Sequence, residues 1–120
     1  MGNDKILIVE DDDDVREALA AFLEGEGYKV IEAGDGAEAL RRLRADGDFC
    51  LIVLDLFMPV MNGWAFRAEQ LRDPKLADIP VLVISADSAA REKGARLGAV
   101  ESMVKPIELS RLRDTVATHC

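Results

Sequence analysis

The sequence predicts an α/β fold in which five β-strands alternate with helices around a parallel sheet. Five short apolar runs are separated by four or five amphipathic stretches, with no internal repeat, low-complexity segment or linker. The third run is apolar at every position, which is typical of a central strand covered on both faces. The 120 residues are therefore expected to form one domain, residues 1–120, that is large enough to bury a hydrophobic core.

The first apolar run, residues 6–9, is the first predicted strand. After it, apolar residues recur at helical spacing and stop at Gly27, so a helix is predicted between the two. Asp13 or Asp14 can cap this helix at its start. Residues 30–33 form the second predicted strand.

The middle of the chain predicts a short helix and the central strand. The loop at 34–36 precedes a helix that carries Ala39, Leu40 and Leu43 on one face. Residues 49–54 form the third predicted strand, and because no polar residue interrupts this run, it is expected in the middle of the sheet.

The remaining elements complete a (βα)₅ pattern. A third helix is predicted at 63–71 and a fourth strand at 81–84. A weaker helix at 89–97, which contains a glycine, comes before a short fifth strand at 102–104. Residues 108–117 form the closing helix.

Composition and charge exclude several classes of protein. The net charge of −8 repels phosphate backbones, which argues against direct binding to nucleic acid or to an anionic membrane. The longest apolar run is too short to span a bilayer, and no leader opens the chain, so a cytoplasmic location is expected. Cys50 and Cys120 are too few for a disulfide framework, and Cys50 is expected to be a small buried hydrophobic residue in a reducing compartment.

Polar residues follow four of the predicted strands. These residues are Glu10 and Asp11 after the first strand, Asp55 after the third, Ser85 after the fourth and Lys105 after the fifth. In open α/β sheets, ligands bind at the carboxyl ends of the strands. A charged residue at a single strand end is ordinary, but the combination predicts a site at this edge.

The three carboxylates indicate a cation site. Carboxylates that converge without compensation repel one another, so either some stay protonated or a cation shares the site. Oxygen ligands without His or Cys favour Mg²⁺ over zinc or copper. Asp11 and Asp55 are the expected direct ligands, and Glu10 acts directly or through water. The neighbouring acids at 12–14 are better explained as helix caps than as ligands.

Phosphoryl chemistry is the reaction that such a site supports. Once the metal and Lys105 neutralise the oxygens of an incoming phosphoryl group, a carboxylate can act as nucleophile and become an acyl phosphate. Asp55, on the central strand, is the candidate nucleophile. Ser85 can donate a hydrogen bond to a phosphoryl oxygen and so turn a charge change into a loop movement.

Four motifs in order, ILIVEDD, VLDLFMPVMNG, VISA and VKP, resemble the receiver domains of two-component response regulators over nearly the whole chain. The resemblance implies a doubly wound, flavodoxin-like sheet with strand order 2-1-3-4-5. It makes Asp55 the phosphoacceptor, Glu10 and Asp11 the acidic pair, and the backbone carbonyl of Phe57 a further metal ligand. Lys105 matches the phosphate-contacting lysine, and its bond to proline is expected to be cis.

The resemblance also assigns switch residues and reveals one departure. Ser85 matches the switch hydroxyl, while Phe57 and Asp87 occupy positions that tune hydrolysis of the acyl phosphate. Three residues before the lysine, the family usually carries an aromatic residue, but this sequence has Ser102. Output is therefore expected to depend on backbone movement around 86–90 and on the face formed by the last two helices and the last strand.

The resemblance implies a phosphorylation-dependent signalling switch rather than an enzyme. The chain would accept its phosphoryl group from a histidine kinase or a histidine phosphotransfer protein, assist its own phosphorylation and dephosphorylation, and contact an unknown downstream protein, with a phosphorylation-dependent dimer as a further possibility. A phosphorylation-independent receiver-like interaction module is the alternative, favoured by Ser102. A haloacid-dehalogenase-type phosphohydrolase needs a second acid where this chain has Phe57. The donor kinase, the pathway and whether the domain stands alone stay open.

Overall fold

One five-stranded parallel sheet forms the centre of the computed structural model, which describes residues 4–120. The strands are β1 (Lys5–Val9), β2 (Lys29–Ala33), β3 (Leu51–Asp55), β4 (Val81–Ser85) and β5 (Glu101–Val104). They lie in the order β2-β1-β3-β4-β5, with every neighbouring pair parallel. The predicted (βα)₅ fold and its strand order are confirmed.

A helix follows each strand. The helices are α1 (Asp13–Gly25), α2 (Gly36–Asp46), α3 (Gly63–Arg72), α4 (Ala90–Arg96) and α5 (Leu109–His119). Gly27 has a φ of 98° just after α1, so it ends this helix as predicted. Among the helices of the described part of the chain, none has the length and apolar character needed to cross a bilayer.

Both faces of the sheet are covered by apolar side chains. On β3, Ile52 and Leu54 belong to the core on the side of α2 and α3. Leu51 and Val53 belong to the core on the side of α1 and α5. Side chains alternate between the two faces of a strand, so an uninterrupted apolar run fits only a strand buried on both. The central position predicted for this strand is confirmed.

The cap of α1 and the start of the central strand differ from the prediction, and several other element bounds shift by one or two residues. The side chain that caps α1 is Asp12, which accepts hydrogen bonds from the backbone N–H groups of Asp14 and Val15, so the prediction of Asp13 or Asp14 was wrong by one or two residues. The central strand starts at Leu51 rather than at 49, because Phe49 is buried against the core without joining the ladder. Apolar composition alone does not distinguish such a flanking residue from the strand itself.

The two cysteines are linked in a disulfide between the start of β3 and the end of α5. Cys50 and Cys120 have Cα atoms 5.3 Å apart and are 70 residues apart in sequence. The prediction that Cys50 is buried is right, but the disulfide differs from the reduced cysteine that the expected reducing compartment implies. Two cysteines this far apart in sequence form no spacing motif, and their proximity follows only from packing α5 against the sheet.

Candidate functional site

The carboxyl ends of the strands bring the predicted site residues together. Asp55 is the last residue of β3, Ser85 is the last residue of β4, and Glu10 directly follows β1. One carboxylate oxygen from each of Glu10, Asp11 and Asp55 lies within 4.8 Å of the other two. Lys105, directly after β5, reaches the same place from the other side of β3. The edge at which the sequence predicts a site therefore holds all five residues.

Lys105 bridges two of the carboxylates. Its Nζ is in ionic contact with Oε1 of Glu10 and lies 3.4 Å from Oδ2 of Asp55. The backbone fixes this position, since Lys105 N donates a 2.8 Å hydrogen bond to the carbonyl oxygen of Ser85. The Lys105–Pro106 bond is cis, as predicted.

Glu10 is the carboxylate most removed from solvent. It is fully buried, and its Oε2 accepts a 3.2 Å hydrogen bond from the N–H of Asp12. Its Oε1 touches the Lys105 ammonium but receives no hydrogen bond of good geometry. A buried carboxylate oxygen that lacks a full set of hydrogen bonds, beside two further carboxylates, suits a hard cation such as Mg²⁺.

Burial and crowding disfavour the charged forms of the acids. Burial raises the pKa of Glu10, the contact with Lys105 opposes this rise, and the neighbouring Asp55 adds to it. Asp11 is exposed, but partial loss of hydration of its carboxylate also raises its pKa, and its interaction with Glu10 adds to the rise. Burial by itself lowers the pKa of Lys105, but the two carboxylates outweigh this effect and raise it, so the ammonium stays charged.

Mg²⁺ binding is expected to weaken as the pH falls, because protons compete with the cation for the carboxylates. This weakening should begin at a pH above the range in which ordinary carboxylates titrate. The raised pKa values of Glu10 and Asp11 mean that the metal-free folded protein binds protons more tightly than the unfolded chain. These two groups therefore stabilise the metal-free fold as the pH falls through their raised values, whereas a cation favours the ionised forms.

Thermal unfolding with Mg²⁺ or with EDTA between about pH 5 and pH 8 measures this effect. The increase in Tm caused by Mg²⁺ should shrink as the pH is lowered. An increase that stays constant over the whole range would contradict the assignment of these acids to the cation site.

The loop after β3 holds the backbone close to Asp55. Phe57 N donates a 3.3 Å hydrogen bond to Oδ1 of Asp55, and Gly63 N donates a 2.9 Å bond to the carbonyl of Leu56. A Cβ atom on Gly63 would lie 2.8 Å from the Asp55 carbonyl oxygen, so only glycine fits there. Val60 has a φ of 65°, a strained value for a β-branched residue.

The loop after β4 is hydrogen-bonded to the buried hydroxyl of Ser85. Ser85 Oγ accepts a 3.1 Å hydrogen bond from the N–H of Asp87. Asp87 Oδ1 in turn accepts a 2.8 Å bond from Ala89 N, and its Oδ2 is in ionic contact with Lys93 of α4. That contact lowers the pKa of Asp87. The serine is therefore connected to α4 through one carboxylate.

Sequence reasoning missed Lys93. Besides the contact with Asp87, its Nζ lies 5.1 Å from the ring centre of Phe57 and 5.9 Å from that of Trp64. The two rings meet edge to face, with centres 5.2 Å apart. The position of Lys93 depends on the rotation of α4, a helix of only seven residues whose apolar pattern is too short to fix that rotation.

Ser102 lies under α4. A Cβ atom on Gly94 would come within 1.9 Å of Ser102 Oγ, so glycine lets this helix approach β5 closely. A large aromatic side chain pointing toward the helix at position 102 would not fit in this arrangement. The serine that departs from the expected motif is therefore matched by a glycine in the facing helix.

Known proteins match the chain over almost its whole length. A family model described as "Response regulator receiver domain" matches residues 6–117. A probable transcriptional regulator, ycf27, of Porphyridium aerugineum is 37% identical over 114 residues, which cover 93% of this chain and 46% of that protein. The chain thus spans about half the length of this relative.

Solved structures agree with this match. A chemotaxis protein of Vibrio cholerae, CheY4, has a TM-score of 0.88 and 29% identity and covers 99% of this chain and 100% of its own. The response regulator TrrA from Thermotoga maritima, solved in complex with Mg²⁺ and beryllium fluoride, has a TM-score of 0.84 and 30% identity and covers 97% of this chain and 98% of its own.

Proposed function

The chain belongs to the response regulator receiver family, and from this premise we propose that residues 1–120 form one receiver domain that is phosphorylated on Asp55 in a Mg²⁺-dependent reaction. The observation that carries the proposal is the meeting of three carboxylates and one ammonium group at the carboxyl ends of the strands. Receiver domains act in phosphorylation-dependent two-component signalling, and this cluster supplies what the phosphoryl-transfer step requires.

Mg²⁺ is the cofactor in this proposal. Glu10, Asp11 and Asp55 would hold it, together with the backbone carbonyl of Phe57, and Glu10 acts directly or through water. When bound, the cation offsets negative charge on the carboxylates and on the phosphoryl oxygens. TrrA, a relative of similar fold, was solved with Mg²⁺ and beryllium fluoride, which supports this choice.

Asp55 is the nucleophile in the proposed reaction. Its carboxylate oxygen forms a bond to phosphorus while the bond from phosphorus to the donor's leaving group breaks, and the leaving group keeps the electron pair. Lys105 stabilises the negative phosphoryl oxygens, since its ammonium already lies beside Asp55. Hydrolysis of the acyl phosphate resets the domain, which makes the chain a phosphoacceptor that assists its own reactions rather than an enzyme with a separate substrate.

Ser85 and the loop after it form the switch in this proposal. A phosphoryl oxygen on Asp55 is a strong acceptor for the Ser85 hydroxyl, and Ser85 Oγ would move toward it to donate this bond, which lengthens the bond that Oγ accepts from Asp87 N. The loop at 86–90 then moves, and the face formed by α4, β5 and α5 changes. That face carries a groove lined by residues that include Arg91, Ser102 and Val104.

The expected partners follow from the family. Receiver domains of response regulators interact with histidine kinases, and we propose a histidine kinase or a histidine phosphotransfer protein as the donor here. A downstream protein would bind the α4, β5 and α5 face. The cytoplasmic location, the absence of nucleic-acid contact and a phosphorylation-dependent dimer stay predictions.

Comparing structures with and without beryllofluoride, a stand-in for the phosphoryl group, tests the switch. In the bound form, Ser85 Oγ should contact a fluorine atom and the backbone at 86–90 should be displaced. If beryllofluoride binds at Asp55 and this loop stays in place, the switch proposal is wrong and the phosphorylation-independent interaction module becomes the better account.

Phe57→Asn is expected to speed loss of the phosphoryl group by about tenfold, which corresponds to about 1.4 kcal/mol of barrier. The backbone N–H of Phe57 contacts the phosphoacceptor carboxylate and its side chain is half exposed, and we propose that the ring shields the acyl phosphate from water. The decay of the phosphorylated protein after removal of the donor measures the rate. Phe57→Tyr keeps the ring and should decay like the wild type, and an unchanged rate in Phe57→Asn would exclude the shielding role.

A further inference from the structure

We infer that Lys93 is a positioning residue that couples α4 to the phosphorylation site by holding the loops after β3 and β4 in their unphosphorylated arrangement. The inference rests on the proposed phosphorylation of Asp55 and extends it to the step that carries the signal to the output face. Lys93 lies on α4 and is distinct from the residues proposed to hold the metal or to contact the phosphoryl group.

One set of contacts connects Lys93 to the switch serine. The ammonium of Lys93 is in ionic contact with Oδ2 of Asp87, and the N–H of Asp87 donates to Oγ of Ser85 over 3.1 Å. Side chains of the ionic pair are 29% and 33% exposed, so solvent screens the pair only in part. The position of the Ser85 hydroxyl and that of α4 are therefore linked through two consecutive contacts.

A second set of contacts connects Lys93 to the loop after β3. Its Nζ lies 5.1 Å from the ring centre of Phe57 and 5.9 Å from that of Trp64, within the range of cation–π attraction. The N–H of Phe57 donates to Oδ1 of Asp55. One ammonium group therefore contacts the segments that follow both the phosphoacceptor and the switch serine.

The close packing of α4 against β5 limits the routes by which a change at the phosphorylation site can reach this helix. Gly94, the neighbour of Lys93, lies directly against Ser102 of β5, so there is no large side chain between helix and strand that can rotate. A change at the phosphorylation site must then reach α4 by another route. The contacts of Lys93 provide one, because they join this helix to both loops.

The direction of the effect follows from the hydrogen bonds. When Ser85 Oγ moves toward a phosphoryl oxygen to donate to it, Oγ moves away from the N–H of Asp87, and the resulting movement of Asp87 weakens its contact with Lys93. The contacts of Lys93 thus favour the unphosphorylated arrangement. Removing its charge should favour the phosphorylated one, because a ligand binds more tightly when less free energy is spent on changing the conformation.

The test is the affinity of the full chain for beryllofluoride in the presence of Mg²⁺, with the bound fluoride followed by ¹⁹F NMR so that the measurement does not depend on Trp64. Lys93→Met keeps the length of the side chain and removes its charge. Its Kd for beryllofluoride should be about three- to tenfold lower than that of the wild type, given the usual strength of such contacts.

Three further variants separate coupling from general effects. Lys93→Arg keeps the charge and can stack on the rings, so its affinity should stay close to that of the wild type. Arg96→Met removes a charge from the same helix, where Arg96 pairs with Glu92 rather than with Asp87, and should change nothing. Asp87→Asn should tighten binding alone but add little to Lys93→Met, because the two side chains act through one contact.

Each other outcome has a definite meaning. An unchanged or weaker affinity in Lys93→Met overturns the inference, and so does an equal tightening in Arg96→Met, which would indicate a general charge effect. If the wild type itself binds no beryllofluoride, the proposed function fails and the inference fails with it. Binding by the wild type with no effect of Lys93→Met overturns the inference alone.

Discussion

Lys105→Met is expected to slow phosphorylation of Asp55 by acetyl phosphate by roughly 100- to 1000-fold, the usual cost of removing one preorganised group that stabilises negative charge. The ammonium already lies 3.4 Å from Oδ2 of Asp55 and in contact with Glu10, so it requires no rearrangement to meet a phosphoryl oxygen. The rate of appearance of the phosphorylated mass at saturating Mg²⁺ measures the effect.

The same variant should also be less stable when Mg²⁺ is removed. Without the ammonium, Glu10 and Asp55 face each other as buried acids, and we expect the free energy of unfolding to fall by about 3 kcal/mol. Mg²⁺ should offset much of this loss, because it supplies the missing positive charge, but it should not restore the rate. A phosphorylation rate within about tenfold of the wild type would contradict the role given to Lys105.

Asp11→Asn is expected to weaken Mg²⁺ binding by on the order of 100-fold, since even changes to groups that only support metal ligands cost 10- to 100-fold. Asp11 contributes one of the three clustered carboxylates, and it is the exposed one, so replacing it should disturb the fold little. Titration with Mg²⁺, followed by the fluorescence of Trp64 or by calorimetry, gives the affinity.

The neighbouring residue provides a matched control. Asp12→Asn removes the same charge one position further along the chain, and asparagine caps a helix about as well as aspartate, so the start of α1 should be preserved. Its Mg²⁺ affinity should change only slightly. Equal losses in the two variants would mean that the acidic segment acts through its total charge and that Asp11 is not a ligand.

The fold and the main site could be predicted because strong, local patterns specify them. The apolar run that precedes Asp55 is typical of a strand buried on both faces, and residues after parallel strands meet at one edge. Glu10, Ser85 and Lys105 were therefore expected at this edge without knowledge of their distances, and the structure places them there. The resemblance to receiver domains supplied the strand order and the cis bond before Pro106.

What the sequence did not predict depends on packing between distant elements. The link between Cys50 and Cys120 requires the closing helix to end beside the start of the central strand. The contact of Lys93 with Phe57 depends on the rotation of α4, a helix of only seven residues. The close approach of α4 to β5 depends on the packing of Gly94 against Ser102. None of these contacts has a periodic or spacing pattern from which it can be read.

The most direct test of the central claim is the intact mass of the protein after incubation with acetyl phosphate, with and without Mg²⁺, beside Asp55→Asn. We predict one added phosphoryl group in the wild type only when Mg²⁺ is present, and none in Asp55→Asn under either condition. An adduct that persists in Asp55→Asn, or no adduct in the wild type with Mg²⁺ present, would contradict phosphorylation of Asp55, and the absence of any adduct would favour the phosphorylation-independent interaction module.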